Sequence, residues 1–277
     1  VIHDYLHHIR STLGEAGLLV MTSAGGLVPS ASYHPKDSLL SGPAGGVVGA
    51  ARVARRLGVE RVLTLDMGGT STDTARYDGH FDYEYLTHVE EVEMLSPTLS
   101  IETVAAGGGS ICAFDGAKLT VGPESAGAQP GPACYGAGGP LTITDVNLLL
   151  GKLDPSAMGI PIDLDAARAA LDAQLDAITA ATGAHYEALE LLRGYEQIAN
   201  EKMAEAIRRI SVARGFDPRD YALLAFGGAG GLHACGIAGL LGMDRLVLPF
   251  DAGLLSAYGI GHARVERFAE RQVLRPL

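Results

Sequence analysis

Hydrophobic and polar positions along the chain change period repeatedly, and each change predicts a new element. Residues 61–65, RVLTL, are a short apolar run closed by Asp66, which predicts a buried strand. Thr74 to Tyr77 resume an extended pattern and stop at Asp78-Gly79, a turn pair. Upstream, residues 1–16 predict a helix, Leu18 to Met21 a strand, and TSAGGLVPS a loop. SGPAGGVVGAARVARRLG predicts a small-residue turn that runs into a helix ending near Gly58, with Ala44, Val47, Val48, Ala51 and Ala54 on one face. Further strands are expected at Phe81 to His88 and Leu99 to Val104, followed by AAGGGS at 105–110 and a hairpin, ICAFDGAKLTVG, with Asp115-Gly116 at its tip.

The second half returns to long periods. TDVNLLLGKL predicts a helix capped by Thr144 or Asp145, and two longer helices follow at about Asp165 to Ala181 and Tyr186 to Arg214. Leu189, Leu192, Ile198, Met203, Ile207 and Ile210 recur near a 3.6 period in the second, which stops at Gly215. YALLAF is then a strand feeding directly into GGAGGLHACGIAGLLG; RLVLP is another strand, and GLLSAYGIG another helix. Strands alternating with helices in this way predict an α/β fold. Residues 122–140, GPESAGAQPGPACYGAGGP, are too apolar and aromatic for a flexible linker. A structured loop beside the active site is preferred over a hinge between subdomains.

Composition narrows the classes of function. A chain of 277 residues with 47% hydrophobic content can bury a large core. Its net charge of −11 argues against nucleic acid and anionic membrane as partners, since both select clustered Lys and Arg. Cys112, Cys134 and Cys235 have no paired spacing, which argues against a disulfide framework or zinc finger and fits a cytoplasmic location. The longest apolar runs fall far short of the ~20 residues that span a bilayer.

Two glycine-rich turns follow strands, so phosphate-binding templates are the natural test. No P-loop is present: the only Gly-Lys pair, Gly151-Lys152, precedes Leu153. The Rossmann register at Gly228 and Gly230 ends on His233 where Gly or Ala is needed. DMGGTSTD at 66–73 fits a third template better. In a strand-turn-strand, Gly68 and Gly69 let successive N–H groups point to one spot, an anion-binding nest, and Thr70, Ser71 and Thr72 add hydroxyl donors. Asp66 cannot face phosphate without repulsion, so its role is to hold Mg²⁺ or its water shell, with Asp73 a second acid nearby. The second turn, with Gly227, Gly228 and Gly230, lets a flat adenine or ribose approach the backbone. This is the logic of the actin-like, Hsp70-like and sugar-kinase ATPases. Gly-Gly pairs after strands are, taken alone, more often tight turns than nucleotide sites.

The motifs DMGGTSTD, SGPAGG, AAGGGSI, VGPESAGAQPGPACYG, TDVNLLLGKL and FGGAGGLHA, in that combination, resemble the hydantoinase A/oxoprolinase family over nearly the whole chain. The resemblance implies an actin-like ATPase (ribonuclease H-like) fold, here a second-half subdomain with inserted helices. It also implies ATP and Mg²⁺ as cofactors, with Asp66 as metal ligand and Asp66, Asp73 and Thr70 as catalytic residues. The implied activity is ATP-dependent hydrolysis of a cyclic amide of the hydantoin, 5-oxoproline or lactam type, through phosphorylation of its carbonyl oxygen. The ATP-using subunit of an acetone-type carboxylase, acting on a ketone, is the nearest alternative, and a non-catalytic actin-like switch module is the alternative from another class. Family members clamp phosphates between two loops, so residues 1–277 are expected to be a core domain of a longer subunit, lacking an N-terminal phosphate-loop domain and a C-terminal region. A hydantoinase B-type subunit or fused domain is the implied partner.

Other residues complete the candidate set. Gly107, Gly108, Gly109 and Ser110 form a possible second nest, and Glu124 and Ser125 are candidates for substrate contact. His233 either contacts nucleotide or packs a helix's first turn against the strand. His3 and His7, with His8 beside them, have a zinc-compatible spacing but no third ligand, so a solvated helix face is preferred. Cys112 and Cys134 have no neighbouring His in sequence and are read as small buried residues.

Overall fold

The computed structural model describes residues 2–13, 17–89 and 92–267. The first helix, α1 (Ile2–Leu13), precedes a small ribbon of β1 (Leu19–Met21) and β2 (Leu27–Pro29). Residues 14–16 of the expected helix and the side chain of His3 lie outside the described residues. Helix α2 (Ser41–Leu57) leads into β3 (Arg61–Met67) and β4 (Thr72–Asp78); a hairpin of β5 (Tyr83–Val89) and β6 (Val92–Leu99) follows, and then β7 (Ile101–Val104). A second hairpin, β8 (Ser110–Phe114) and β9 (Leu119–Ser125), precedes α3 (Ile143–Leu149), α4 (Leu164–Thr182) and α5 (Ala188–Ile210). The chain closes with β10 (Ala222–Phe226), α6 (Gly230–Leu241), β11 (Leu246–Val247) and α7 (Leu255–His262).

The central sheet runs β11-β10-β3-β4-β7. β10 is parallel to β3 and to β11, whereas β4 is antiparallel to both β3 and β7. The first strand to enter the sheet is thus its middle one, as in the actin-like, ribonuclease H-like arrangement. Both faces of β3 and β10 are covered, which is why their sequences are continuously apolar rather than alternating. On one face Leu63, Leu65, Met67, Leu223 and Ala225 pack with α5 and α6; on the other Val62, Leu224 and Phe226 pack with Ala50, Ala51 and Ala54 of α2 and Leu255 of α7.

Several boundaries differ from expectation for identifiable reasons. SGPAGG is the opening of α2 rather than a turn before it: Gly45 and Gly49 meet Gly259 of α7, where a side chain would strike backbone. The segment read as a loop at 22–30 includes β2. α5 ends at Ile210 and passes through a tight 3₁₀ turn, Val212–Arg214, before Gly215. Strand β6 was not expected because adjacent Met94-Leu95 breaks its alternation and Pro97 interrupts it. Neither Thr144 nor Asp145 caps α3; Thr142 does, with Asp145 in the third helical position accepting the Thr142 N–H in a capping-box arrangement.

Candidate functional site

The topology fixes where chemistry can sit. β3 and β10 are adjacent and parallel, with Asp66 opposite Phe226, so the glycine turns that follow them emerge side by side at one edge of the sheet. Across the other ladder Asp66 is paired with Asp73 and Met67 with Thr72, leaving residues 68–71 as the turn. Two motifs far apart in sequence are therefore neighbours: a Cβ on Gly227 would lie 2.6 Å from Asp66 Oδ1 and 2.5 Å from the Met67 carbonyl oxygen. Gly227 also has φ +78, so only glycine suits both its conformation and its surroundings.

The first turn is held by its carbonyls. Met67 O accepts from the Ala229 N–H at 3.1 Å, Gly68 O from Gly108 at 3.0 Å and Gly69 O from Gly109 at 2.6 Å. The Gly68 N–H closes the turn onto Ser71 O. Among the described residues, the N–H groups of Gly69 and Thr70 make no hydrogen bond, and both residues are exposed. With its acceptors tied down and two donors on exposed residues, the turn can receive an anion on those N–H groups. Thr70 and Ser71 stand on it, but Thr72 does not contribute a free hydroxyl: it is buried and donates to Ala106 O at 2.5 Å.

The second nest read at Gly107–Ser110 is already occupied by the protein itself. The Gly107 N–H donates to Ser110 Oγ at 2.9 Å, and those of Gly108 and Gly109 go to the first turn. All four residues are buried. Their glycine content has a steric cause: a Cβ on Gly107 would lie 2.7 Å from the backbone of Gly69 and Thr70. This segment is a platform under the first turn. Thr144 buttresses it from below, giving both its N–H and its hydroxyl to Gly108 O, at 2.8 and 2.9 Å.

Electrostatics single out the acids. Burial, reinforced by repulsion from Asp73, pushes the Asp66 carboxyl up to about 6. Burial also raises Asp73, opposed by a 2.5 Å hydrogen bond from the Thr103 hydroxyl. No donor among the described residues satisfies Asp66. Two partly desolvated carboxylates paired across the ladder are a donor set that a cation could bridge.

The remaining candidates separate clearly. The 122–140 loop is ordered and adjoins the site: Ala126 N–H donates to Gly109 O, and the Ser125 hydroxyl oxygen lies 2.9 Å from where a Cβ of Gly109 would be. Glu124 is exposed. His233 is fully buried between Asn147 and Asn200, so its ring packs inside rather than facing the open edge. Cys112 and Cys134 are buried, and burial pushes the Cys134 thiol up to about 12, which rules out ready thiolate formation. Sequence reasoning missed Thr144, Asn147 and Asn200 as supports; a T-x-x-D capping signal at Thr142 and Asp145 was the one available pointer to how α3 is placed.

The matching family model is hydantoinase/oxoprolinase, aligned to residues 1–268. The chain belongs to the hydantoinase/oxoprolinase family. It is 46% identical over 279 aligned positions to 5-oxoprolinase PfmaA of Pestalotiopsis fici, covering 96% of this chain and 22% of that protein. The structure of the ATP-dependent caprolactamase of Pseudomonas jessenii is similar at TM-score 0.80 and 33% identity, covering 93% of this chain and 38% of that one. A nucleotide-free acetone carboxylase structure is similar at TM-score 0.82 and 25% identity, covering 95% and 37%. The chain thus spans about a fifth of the length of the 5-oxoprolinases it matches. Among the described residues no helix is long and apolar enough to cross a membrane.

Proposed function

We propose that this hydantoinase/oxoprolinase chain contributes the Mg-ATP side of an ATP-dependent hydrolase of cyclic amides, of the hydantoin, 5-oxoproline or lactam type. The observation that carries the reading is the pairing of two desolvated carboxylates, Asp66 and Asp73, beside a turn whose Gly69 and Thr70 N–H groups make no hydrogen bond among the described residues. The donor set suits Mg²⁺. That ion keeps several waters and takes one or two carboxylates plus substrate phosphates, so a cage of three or more ligating side chains is not required, and none is found among the described residues. Asp66 would hold the ion, directly or through its water, with Asp73 beside it; when bound, it offsets the negative charge of the phosphates.

The chain's own groups do the positioning. Gly69 and Thr70 orient phosphate oxygens through their N–H groups, with the Thr70 and Ser71 hydroxyls as further donors. The Gly107–Gly109 platform keeps those donors from relaxing, and the Gly227–Gly230 turn receives ribose or adenine. Amide resonance makes the substrate carbon a poor electrophile. Transfer of the γ-phosphoryl group of ATP to the carbonyl oxygen, with ADP leaving, would remove that resonance; one water then adds to the carbon and the C–N bond breaks to leave an acyl phosphate, which a second water hydrolyses to carboxylate and phosphate. Positioning and charge stabilisation supply most of such catalysis.

The sequence likeness to 5-oxoprolinases favours hydrolysis. The likeness to acetone carboxylase favours a second reading, in which the same phosphorylation activates a ketone for carboxylation. A relative named as caprolactamase subunit alpha supports a partner subunit or fused domain of hydantoinase B type. Free cysteines fit a cytoplasmic location. Calorimetric titration of Mg-ATP into the intact protein tests the site, with Asp66→Ala as control, followed by ATP turnover with 5-oxoproline, hydantoin, a lactam and acetone. Binding lost in Asp66→Ala and turnover stimulated by a cyclic amide are expected; stimulation by acetone and bicarbonate alone selects the carboxylase, and absence of binding overturns the nucleotide reading.

A further inference from the structure

Two motifs that the site does not use meet in the interior. TDVNLLLGKL supplies Asn147 and Lys152, FGGAGGLHA supplies Leu232 and His233, and α5 supplies Asn200 and Glu196. Asn147 Nδ2 donates to His233 Nε2 at 2.9 Å, which leaves the proton on Nδ1, and His233 Nδ1–H donates to Asn200 Oδ1 at 2.7 Å. All three side chains are more than nine-tenths buried. Lys152 Nζ pairs with Glu196 and donates to Leu232 O at 2.9 Å. Burial, with the Lys152 charge nearby, pushes His233 down to about 4, so the ring is neutral and both its nitrogens are matched.

The position of this network matters more than its strength. Thr144, in the first turn of α3, holds Gly108 and through it the phosphate turn; one helical turn on, Asn147 holds His233. Leu232 and His233 lie in the first turn of α6, which begins at the second glycine turn. α3 therefore bridges the two turns from beneath. Asn147 Oδ1 accepts no hydrogen bond among the described residues, so the triad is not optimised for stability. Well-packed apolar side chains would fill the same space without that cost but would not dictate the orientation of α6.

We propose that Asn147, His233 and Asn200 are positioning residues that fix the first turn of α6 relative to the Gly107–Gly109 platform, and so set the separation of the two glycine turns. This rests on the nucleotide reading given above, and the test keeps the two apart. His233→Leu removes both polar contacts at similar volume, while His233→Gln keeps a donor and an acceptor. In the intact protein, His233→Leu is expected to raise KM for Mg-ATP about tenfold with kcat within threefold of the parent, and His233→Gln to return KM to within threefold. A folded His233→Leu protein with unchanged KM overturns the proposal, as does a loss that falls on kcat alone. If His233→Leu does not fold, Asn147→Leu, which removes one hydrogen bond, is read by the same criteria. Should the parent bind no nucleotide, the functional reading fails. The bridge is then judged by amide hydrogen exchange at residues 230–234, where protection in the parent and at least tenfold faster exchange in Asn147→Leu support it and equal protection overturns it.

Discussion

Asp145, in the first turn of α3, and Asp66, near the end of β3, are both carboxylates withdrawn from solvent, yet the protein treats them oppositely. Asp145 is fully buried and accepts from the N–H groups of Ala133, Cys134 and Thr142 and from the Thr142 hydroxyl, at 2.7 to 3.1 Å. Asp66 has no donor among the described residues and faces a second acid across the β3–β4 ladder. One carboxylate is an organising centre that ties the glycine-proline loop to α3. The other is left with burial and the repulsion of a second acid. The fold surrounds Asp145 with four donors and gives Asp66 none among the described residues, and on the function proposed above that acid is kept for a ligand.

The sharpest way to break this contrast is to remove the satisfied acid. Asp145→Ala strands the N–H groups of Cys134 and Thr142 in the interior, Ala133 keeping Pro140 O, and is expected to cost about 3–5 kcal/mol, read as a lower midpoint in urea unfolding with an unchanged slope. A loss below about 1 kcal/mol would mean that the loop, not the acid, carries the organisation. The next effect comes from His233. Its folded pKa, about 4, lies below the ordinary value of 6.5, so the unfolded chain takes up the proton first. The stability it contributes is complete above about pH 6.5 and is lost as pH falls toward 4, up to about 3 kcal/mol. Urea unfolding at pH 7 and pH 4.5 should show that loss in the parent and a reduced one in His233→Leu.

How much of this was legible in sequence depends on whether the signal is local. The strand before Asp66, the turn after it and the turn at Gly227 are legible because buried parallel strands are apolar throughout and glycine marks positions that side chains cannot occupy. Gly107–Gly109 shows the limit. In sequence it is as good a nest as Gly68-Gly69, and only the pairing of its N–H groups with Gly68 O, Gly69 O and Ser110 Oγ distinguishes support from site. Thr72 fails for the same reason, its hydroxyl being turned inward by strand alternation while Thr70 and Ser71 lie on the turn. Asn147 and Asn200 could not be paired with His233 from spacing, since they are 86 and 33 residues away from it. The boundary of α3 was misplaced because Asp145 resembles a cap, whereas its carboxylate reaches back to Thr142.

The smallest effect bears most directly on the comparison. The folded pKa of Asp66, about 6, lies above the ordinary carboxylate value. A carboxyl raised in this way contributes its stability below the unfolded pKa and loses it as pH rises through 6, so at pH 7 the ionised group costs the folded state. Asp66→Asn removes that charge from the pair with Asp73 and is expected to stabilise the protein at pH 7 by on the order of 1 kcal/mol, allowing for partial exposure. The gain should vanish near pH 4. Because the parent regains this stability on acidification while His233 loses its own, Asp66→Asn should also fall more steeply than the parent between pH 6 and pH 4. Mg-ATP binding should disappear in the same variant. An acid whose removal strengthens the fold and abolishes the ligand is held in place by function; if Asp66→Asn instead weakens the protein at pH 7 as Asp145→Ala does, the two carboxylates are alike and the contrast drawn between them is wrong.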